Sequence, residues 1–121
     1  MATFNSRDLA ASQVALVWAL HRSLVLVADY RRNGGAVYRQ AVEFLVWPLR
    51  PAECDGSSLQ AGDENCLVRV ADLGLDFQPG SGDYLCVGDP GVRYTVISGV
   101  LEFGAAVWHL YVRRTNTSCE G

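Results

Sequence analysis

Apolar and polar positions along this chain change period near Leu24. Before it, Leu9, Val14, Val17, Trp18 and Leu20 recur at helical intervals, and Leu16 widens the stripe. This pattern predicts a helix from about Asn5 to Arg22. Asn5 is placed to cap its start, Asp8 suits the positive helix end, and Phe4 and Leu9 are spaced as a hydrophobic staple. A stripe this broad calls for cover on more than one side, from a sheet or from a neighbouring subunit.

After Leu24 the period shortens to that of strands. Leu24 to Arg32 is rich in β-branched residues and then alternates. Asn33-Gly34-Gly35 follows as a hairpin signal, because both glycines accept positive φ. Ala36 to Trp47 is the return strand, with Tyr38, Gln40 and Val42 on one face and Val37, Arg39, Ala41 and Glu43 on the other. Its apolar end, Phe44 to Trp47, predicts burial on both faces or a bulge. Further strands are expected over Glu64–Leu73, Asp83–Val87, Val92–Gly99 and Val107–Arg114. Between them lie a turn region from Gly74 to Gly82, a tight Gly88-Asp89-Pro90-Gly91 turn and a connection from Leu101 to Ala106. Thr115 to Gly121 reads as a loose polar tail.

One helix followed by about six strands at hairpin spacings predicts a mainly β protein. The expected form is a small antiparallel β-barrel or sandwich with an N-terminal α-helix and one long loop. The 121 residues suit a single domain, with the β part spanning about 24–114. The long loop runs from Pro48 to Gly62 and has no usable period. Loops of that length tend to carry function or remain disordered. Its candidate functional residues are Pro48, Arg50, Pro51, Glu53, Asp55, Gly56, Ser57, Ser58, Leu59 and Gln60.

Composition narrows the function. A net charge of −3 gives no broad attraction to nucleic acid or to an anionic membrane. All ten basic residues are arginine. Arginine favours bidentate pairing and stacking at subunit contacts, although genomic base composition produces the same bias. Cys54, Cys66, Cys86 and Cys119 form no C-x-x-C pair, so free thiols in a reducing compartment are expected. The apolar run Val14–Ala28 is interrupted by His21, Arg22 and Ser23, which falls short of the ~20 residues a membrane span needs. It lacks the basic start and cleavage site of a signal peptide, so it is assigned to the fold.

Candidate chemistry is sparse. His21 and His109 have no ligand spacing to a cysteine or carboxylate, and the cysteines match no zinc module. Pro79-Gly80-Ser81-Gly82-Asp83 has the glycines of a phosphate cradle without its lysine, and reads as a turn. The acidic pairs Asp63-Glu64 and Asp72/Asp76 read as solvated strand ends and turn caps. Asn116-Thr117-Ser118 matches a glycosylation triplet by coincidence, and no serine sits in a nucleophile elbow. The expectation is a protein that is not an enzyme and uses neither cofactor nor metal.

Several segments, in order, resemble one family. Tyr30, Arg31, Arg32, Gly34 and Gly35 look like its tyrosine-arginine-arginine-glycine start. Leu67 to Leu73 resembles its leucine-isoleucine-arginine-x-alanine-aspartate-leucine strand. Gly82-Asp83-Tyr84-Leu85 stands where the family has glycine-aspartate-arginine-isoleucine, and Gly91 to Val96 is similar to its glycine-arginine-x-tyrosine-x-valine strand. Trp108 to Arg113 looks like its closing aromatic strand. The resemblance spans about Leu24 to Arg114 and is to the small head–tail joining proteins of tailed bacteriophages and prophages, also called head closure or neck proteins. Departures are Tyr84 in place of a basic residue, Val92 between the glycine and the arginine, and the Gly99–Ala106 segment, which lacks Pro-Gly-Gly.

The resemblance implies a non-catalytic virion protein at the phage neck, assembled in the host bacterial cytoplasm. It implies a homo-oligomeric ring with portal and adaptor proteins above and a tail protein below. Viral DNA would pass through the lumen without sequence-specific binding, and no membrane is involved. In related neck proteins a long loop between early strands can face the channel, which is the place of Pro48–Gly62 here. Gly34, Gly35, Asp72, Gly82, Asp83, Pro90, Gly91, Arg93 and Tyr94 would define the turns of the fold. The alternatives are a tail-completion or tail-terminator protein of the same particle, a host scaffold domain, or a small β-barrel that binds a ligand or performs hydrolysis.

Overall fold

In a computed structural model, residues 6–49, 59–60, 62–74, 76–87, 91–102 and 106–116 are described, with side chains from residue 13 onward in the first helix. Helix α1 spans Ser6–Leu20, and a 3-10 turn over Arg22–Leu24 leads into the first strand. The strands are β1 (Leu26–Arg31), β2 (Val37–Pro48), β3 (Glu64–Arg69), β4 (Tyr84–Val87), β5 (Val92–Glu102) and β6 (Val107–Thr115). They close into one antiparallel barrel in the order β1-β2-β3-β6-β5-β4. Pairing of β1 with β4, from Asp29↔Cys86 to Arg31↔Tyr84, completes the closure. Of the two expected architectures, the barrel is the one adopted.

The alternating strand residues fill the barrel. Tyr30, Phe44, Val68, Leu85, Val96, Leu110 and Val112 are essentially inaccessible inside it. A second, smaller core lies outside the wall, where Val14 and Trp18 of α1 pack on Leu45 and Val107, flanked by Val25 and Leu67. Phe44 and Leu45 therefore bury opposite faces of β2, one in each core. Each large apolar side chain so buried contributes roughly 1.5–3 kcal/mol. The other side of α1 stays apolar and exposed, at Leu16, Val17 and Leu20.

Three expectations are corrected. The third strand ends at Arg69, and Val70–Leu73 forms a single helical turn, α2. Val70 and Leu73 are both buried by the turn, its first N–H donates to Ala106 O at 2.9 Å, and Gly74 at φ +100° ends it. An extended chain would present those two apolar residues to opposite faces. Second, the two-face alternation read for Val37 to Glu43 does not hold, because the irregularities of β2 lie at Tyr38 and at Gln40–Ala41; the Phe44–Trp47 end takes the first of its two expected forms, burial on both faces. There β2 has one residue more than β1 between Ala28/Tyr30 and again between Tyr30/Arg31. Ala41 takes φ +56° at the first of these, with its N–H directed to Asp29 Oδ1 at 3.3 Å. The extra residues break the simple alternation read for Val37 to Glu43. Third, Cys86 is disulfide-bonded, so free thiols do not hold for all four cysteines; Cys66 is a free, buried thiol.

Strand β5 also outruns its expected end at Gly99, continuing to Glu102 opposite Val107. The expected helix cap at Asn5, the Phe4 staple and residues 117–121 of the tail lie outside the described residues.

Candidate functional site

The segment Gly80-Ser81-Gly82-Asp83 makes a tight turn at the entrance to β4. Gly82 takes φ +91°, and Asp83 N donates to Gly80 O at 3.0 Å. The Asp83 carboxylate then folds back to accept from Gly80 N at 2.8 Å, and is only 2 % exposed. Three groups from the β1–β2 hairpin reach the same carboxylate. Tyr30 donates its hydroxyl at 2.8 Å, Arg32 Nη1 donates at 3.0 Å, and Asn33 N donates at 2.9 Å. Arg32 also donates to Gln78 O at 3.0 Å and lies 4.1 Å over the Phe77 ring. Phe77 meets Tyr30 edge-on and stacks on Tyr38, whose hydroxyl donates to Leu73 O at 3.0 Å. Burial, then the bond to Asp83, pushes the Tyr30 phenol well above its ordinary range. It is a neutral donor at physiological pH.

The expected Asn33-Gly34-Gly35 turn is part of this cluster. Gly34 and Gly35 take φ +109° and +101°, and Arg32 and Ala36 close the hairpin with a 2.8 Å bond. Asp72 lies in α2, bonded to Arg69 Nε at 2.9 Å, and Arg69 also holds Glu43 at 2.7 Å and covers the Trp18 ring. Arg93 lies 4.1 Å over the Tyr84 ring. Tyr94 is buried edge-on to Phe44, and burial raises its phenol pKa. Gly91 takes φ +96°, while Pro90 lies outside the described residues.

Of the expected long loop, Arg50 to Ser58 lie outside the described residues, including Pro51, Glu53, Asp55, Gly56 and Ser57. Its two ends are described. Pro48 ends β2, with its carbonyl accepting from Asn65 Nδ2 at 3.3 Å. At the other end Leu59 is half-buried and Gln60 exposed. Gln60 to Asp63 repeats the 80–83 turn: Gly62 takes φ +95°, Asp63 N donates to Gln60 O at 3.0 Å, and Gln60 N donates to Asp63 Oδ2 at 2.8 Å. Asp63 is 3 % exposed, so it is no solvated strand end. Arg113 of β6 grips both its oxygens, at 2.9 and 3.0 Å. That pairing holds the Asp63 carboxyl below the usual carboxylate range and raises the Arg113 guanidinium.

Sequence reasoning misread Asp63 and missed its partner Arg113, although Gly62-Asp63 before β3 has the same form as Gly82-Asp83 before β4. It also missed the outer-wall cluster at His109. There Nε2 lies 2.7 Å from Asn65 Oδ1 and Nδ1 lies 3.1 Å from Glu102 Oε1, with Trp47 and Tyr111 flanking the ring. No sequence spacing signals that cluster, because it joins four strands.

Two hollows accompany these features. An apolar one of about 240 Å³ lies between α1 and the wall, lined by Val14, Val17, Trp18, Leu67 and Val107. A polar one of about 270 Å³ lies between the hairpin tip and β4–β5, lined by Asn33, Tyr84, Arg93 and Thr95 with three glycines. Among the described residues no group of three or more His, Cys, Asp or Glu could hold a metal, and no helix is long and apolar enough to cross a membrane. No family model, curated protein or solved structure matches this chain.

Proposed function

We propose that this protein is a structural component of a tailed-phage particle. In this reading it forms a ring at the neck that closes the DNA-filled capsid below the portal and presents a platform to the tail. It is non-catalytic, works in the virion after assembly in the bacterial cytoplasm, and uses no cofactor. The supporting observation is the convergence of the resemblance motifs on Asp83. Tyr30 and Arg32, the hairpin backbone at Asn33, and Gly82-Asp83 come from segments about fifty residues apart and share one carboxylate. A mainly β barrel with a helix on its wall provides a rigid body suited to lateral packing. The net charge of −3 suits a lumen through which DNA slides, since strong phosphate neutralisation would hold it.

Cryo-electron microscopy of particles carrying a tagged copy tests this reading. Density for the chain as a ring between portal and tail is expected. Its appearance only in the capsid shell or distal tail overturns the assignment, and a ring capping the tail tube moves it to the tail-terminator alternative. The ligand-binding alternative draws on the apolar hollow at Trp18, whose indole N–H is buried without a hydrogen-bond partner.

A further inference from the structure

Helix α1 gives one apolar side to the barrel and leaves another in water. Val14 and Trp18 pack on the wall, while Leu16 and Leu20, one turn apart, are 60 % and 72 % accessible. Val17, 40 % accessible, stands between the two sides. No charged residue occurs from Leu9 to Leu20. A surface helix ordinarily carries polar residues on its outer face, so an uncharged, leucine-bearing one calls for cover.

The hollow between α1 and the wall opens on the flank where Val17 borders this ridge. It measures about 240 Å³, and Gln13, Val14, Val17, Trp18, Leu67 and Val107 line it. An apolar cavity of roughly 150 Å³ admits a benzene ring, so a leucyl side chain has room here. A ridge of two leucines therefore adjoins a hollow that can take a leucine. Crossed helices pack by fitting such i, i+4 ridges into the grooves of their partner.

The occupant follows from that adjacency. A surface with knob and hole side by side fits a twofold-related copy of itself, each copy filling the other. Charge favours no other partner. The nearest cation, Arg22, is already held by Glu43 at 2.7 Å, so neither an acidic nor a basic surface is selected, and two neutral faces meet without repulsion. A helix lying on a membrane would carry Lys or Arg around its apolar face, and this one has none from Leu9 to Leu20.

We infer that α1 is a self-association face. A second copy of this chain lays its α1 across the first, and Leu20 of each enters the other's hollow beside Gln13 and Val17. The twofold axis passes near Leu16 and Val17. So few side chains fall short of the roughly 20–30 residues a side of a standard interface, so the pair is reversible and belongs to the free protein. This inference goes beyond the ring reading and does not depend on it.

The test is sedimentation of the full chain over a concentration series, where a monomer–dimer equilibrium is expected. Leu20→Lys should weaken it roughly tenfold or more, since pairing would bury the new charge, with unchanged melting because the position is exposed. Val37→Lys, at an exposed position near the other end of β2, should leave it unchanged. Gln13→Cys and Leu20→Cys chains, mixed and oxidised with the wild-type chain as background, should join each other in preference to themselves. A chain that stays monomeric at every attainable concentration overturns the inference. So does an assembly that Leu20→Lys leaves intact or that Val37→Lys weakens equally, and so does preferential self-joining of either cysteine variant. Flotation of a monomeric wild-type chain, but not of Leu20→Lys, with phosphatidylcholine vesicles overturns it in favour of lipid. Rings that persist in Leu20→Lys overturn the α1 pairing and leave the neck reading standing.

Discussion

Asp63 and Asp83 are the same local device in two settings. Each follows a glycine at positive φ, closes a turn onto the residue three before it, and opens a strand. Each accepts the N–H of that earlier residue at 2.8 Å and ends nearly sealed from solvent. They part in how the remaining acceptor capacity is filled. Asp83 takes a phenol, a guanidinium and a backbone N–H from a neighbouring hairpin, and its arginine is fixed between Phe77 and Gln78 O. Asp63 takes one arginine, Arg113, whose side chain is 41 % open to water. One carboxylate therefore organises a whole barrel end, and the other pins the base of the long loop to β6. The strength of a buried charge follows from what its partners lose without it.

That contrast is broken most directly by removing each carboxylate. Asp83→Ala strands a buried phenol, a guanidinium and two backbone donors, so a loss of about 3–5 kcal/mol is expected. Asp63→Ala releases Arg113 into water and should cost about 1–3 kcal/mol. Urea denaturation of both variants measures the difference; equal losses would remove the distinction.

The two turn glycines sharpen the comparison. Both need positive φ, so Ala at either position costs about 1–2 kcal/mol. A Cβ at Gly62 meets nothing within 4 Å, whereas at Gly82 it would lie 2.5 Å from Asn33 Nδ2. Gly82→Ala should therefore lose a further ~1 kcal/mol as Asn33 leaves its rotamer. Thermal melting of the pair reads this directly.

The smallest effect is on acid stability. The Asp63 carboxyl titrates below its ordinary value because Arg113 bonds its charged form. Its stabilising contribution is therefore present above about pH 4, the unfolded value, and is lost as pH falls through the lower folded one. Asp63→Asn should be less stable than the parent at pH 7, with the gap closing towards pH 3. A gap that stays constant over that range would show that the charge is not the cause.

Much of the barrel was legible because its signals are local. Asn33-Gly34-Gly35, Gly82-Asp83 and the β-branched runs act within a few residues, and they yielded the mainly β class and the hairpins. The helical turn at Val70–Leu73 was hidden, since its strand-like residues turn only because Val70 and Leu73 have a common core to enter. The backbone of Ala41 was hidden for a similar reason: an alanine at φ +56° is held there by pairing with β1 and has no local cause.

What the sequence determined by itself was where the chain turns, because φ preferences and short-range hydrogen bonds belong to neighbouring residues. Closure of the barrel through β1 and β4 and the choice of Arg32 for Asp83 and Arg113 for Asp63 were decided in three dimensions. The physical reason is distance along the chain. Each carboxylate is fifty or so residues from its arginine.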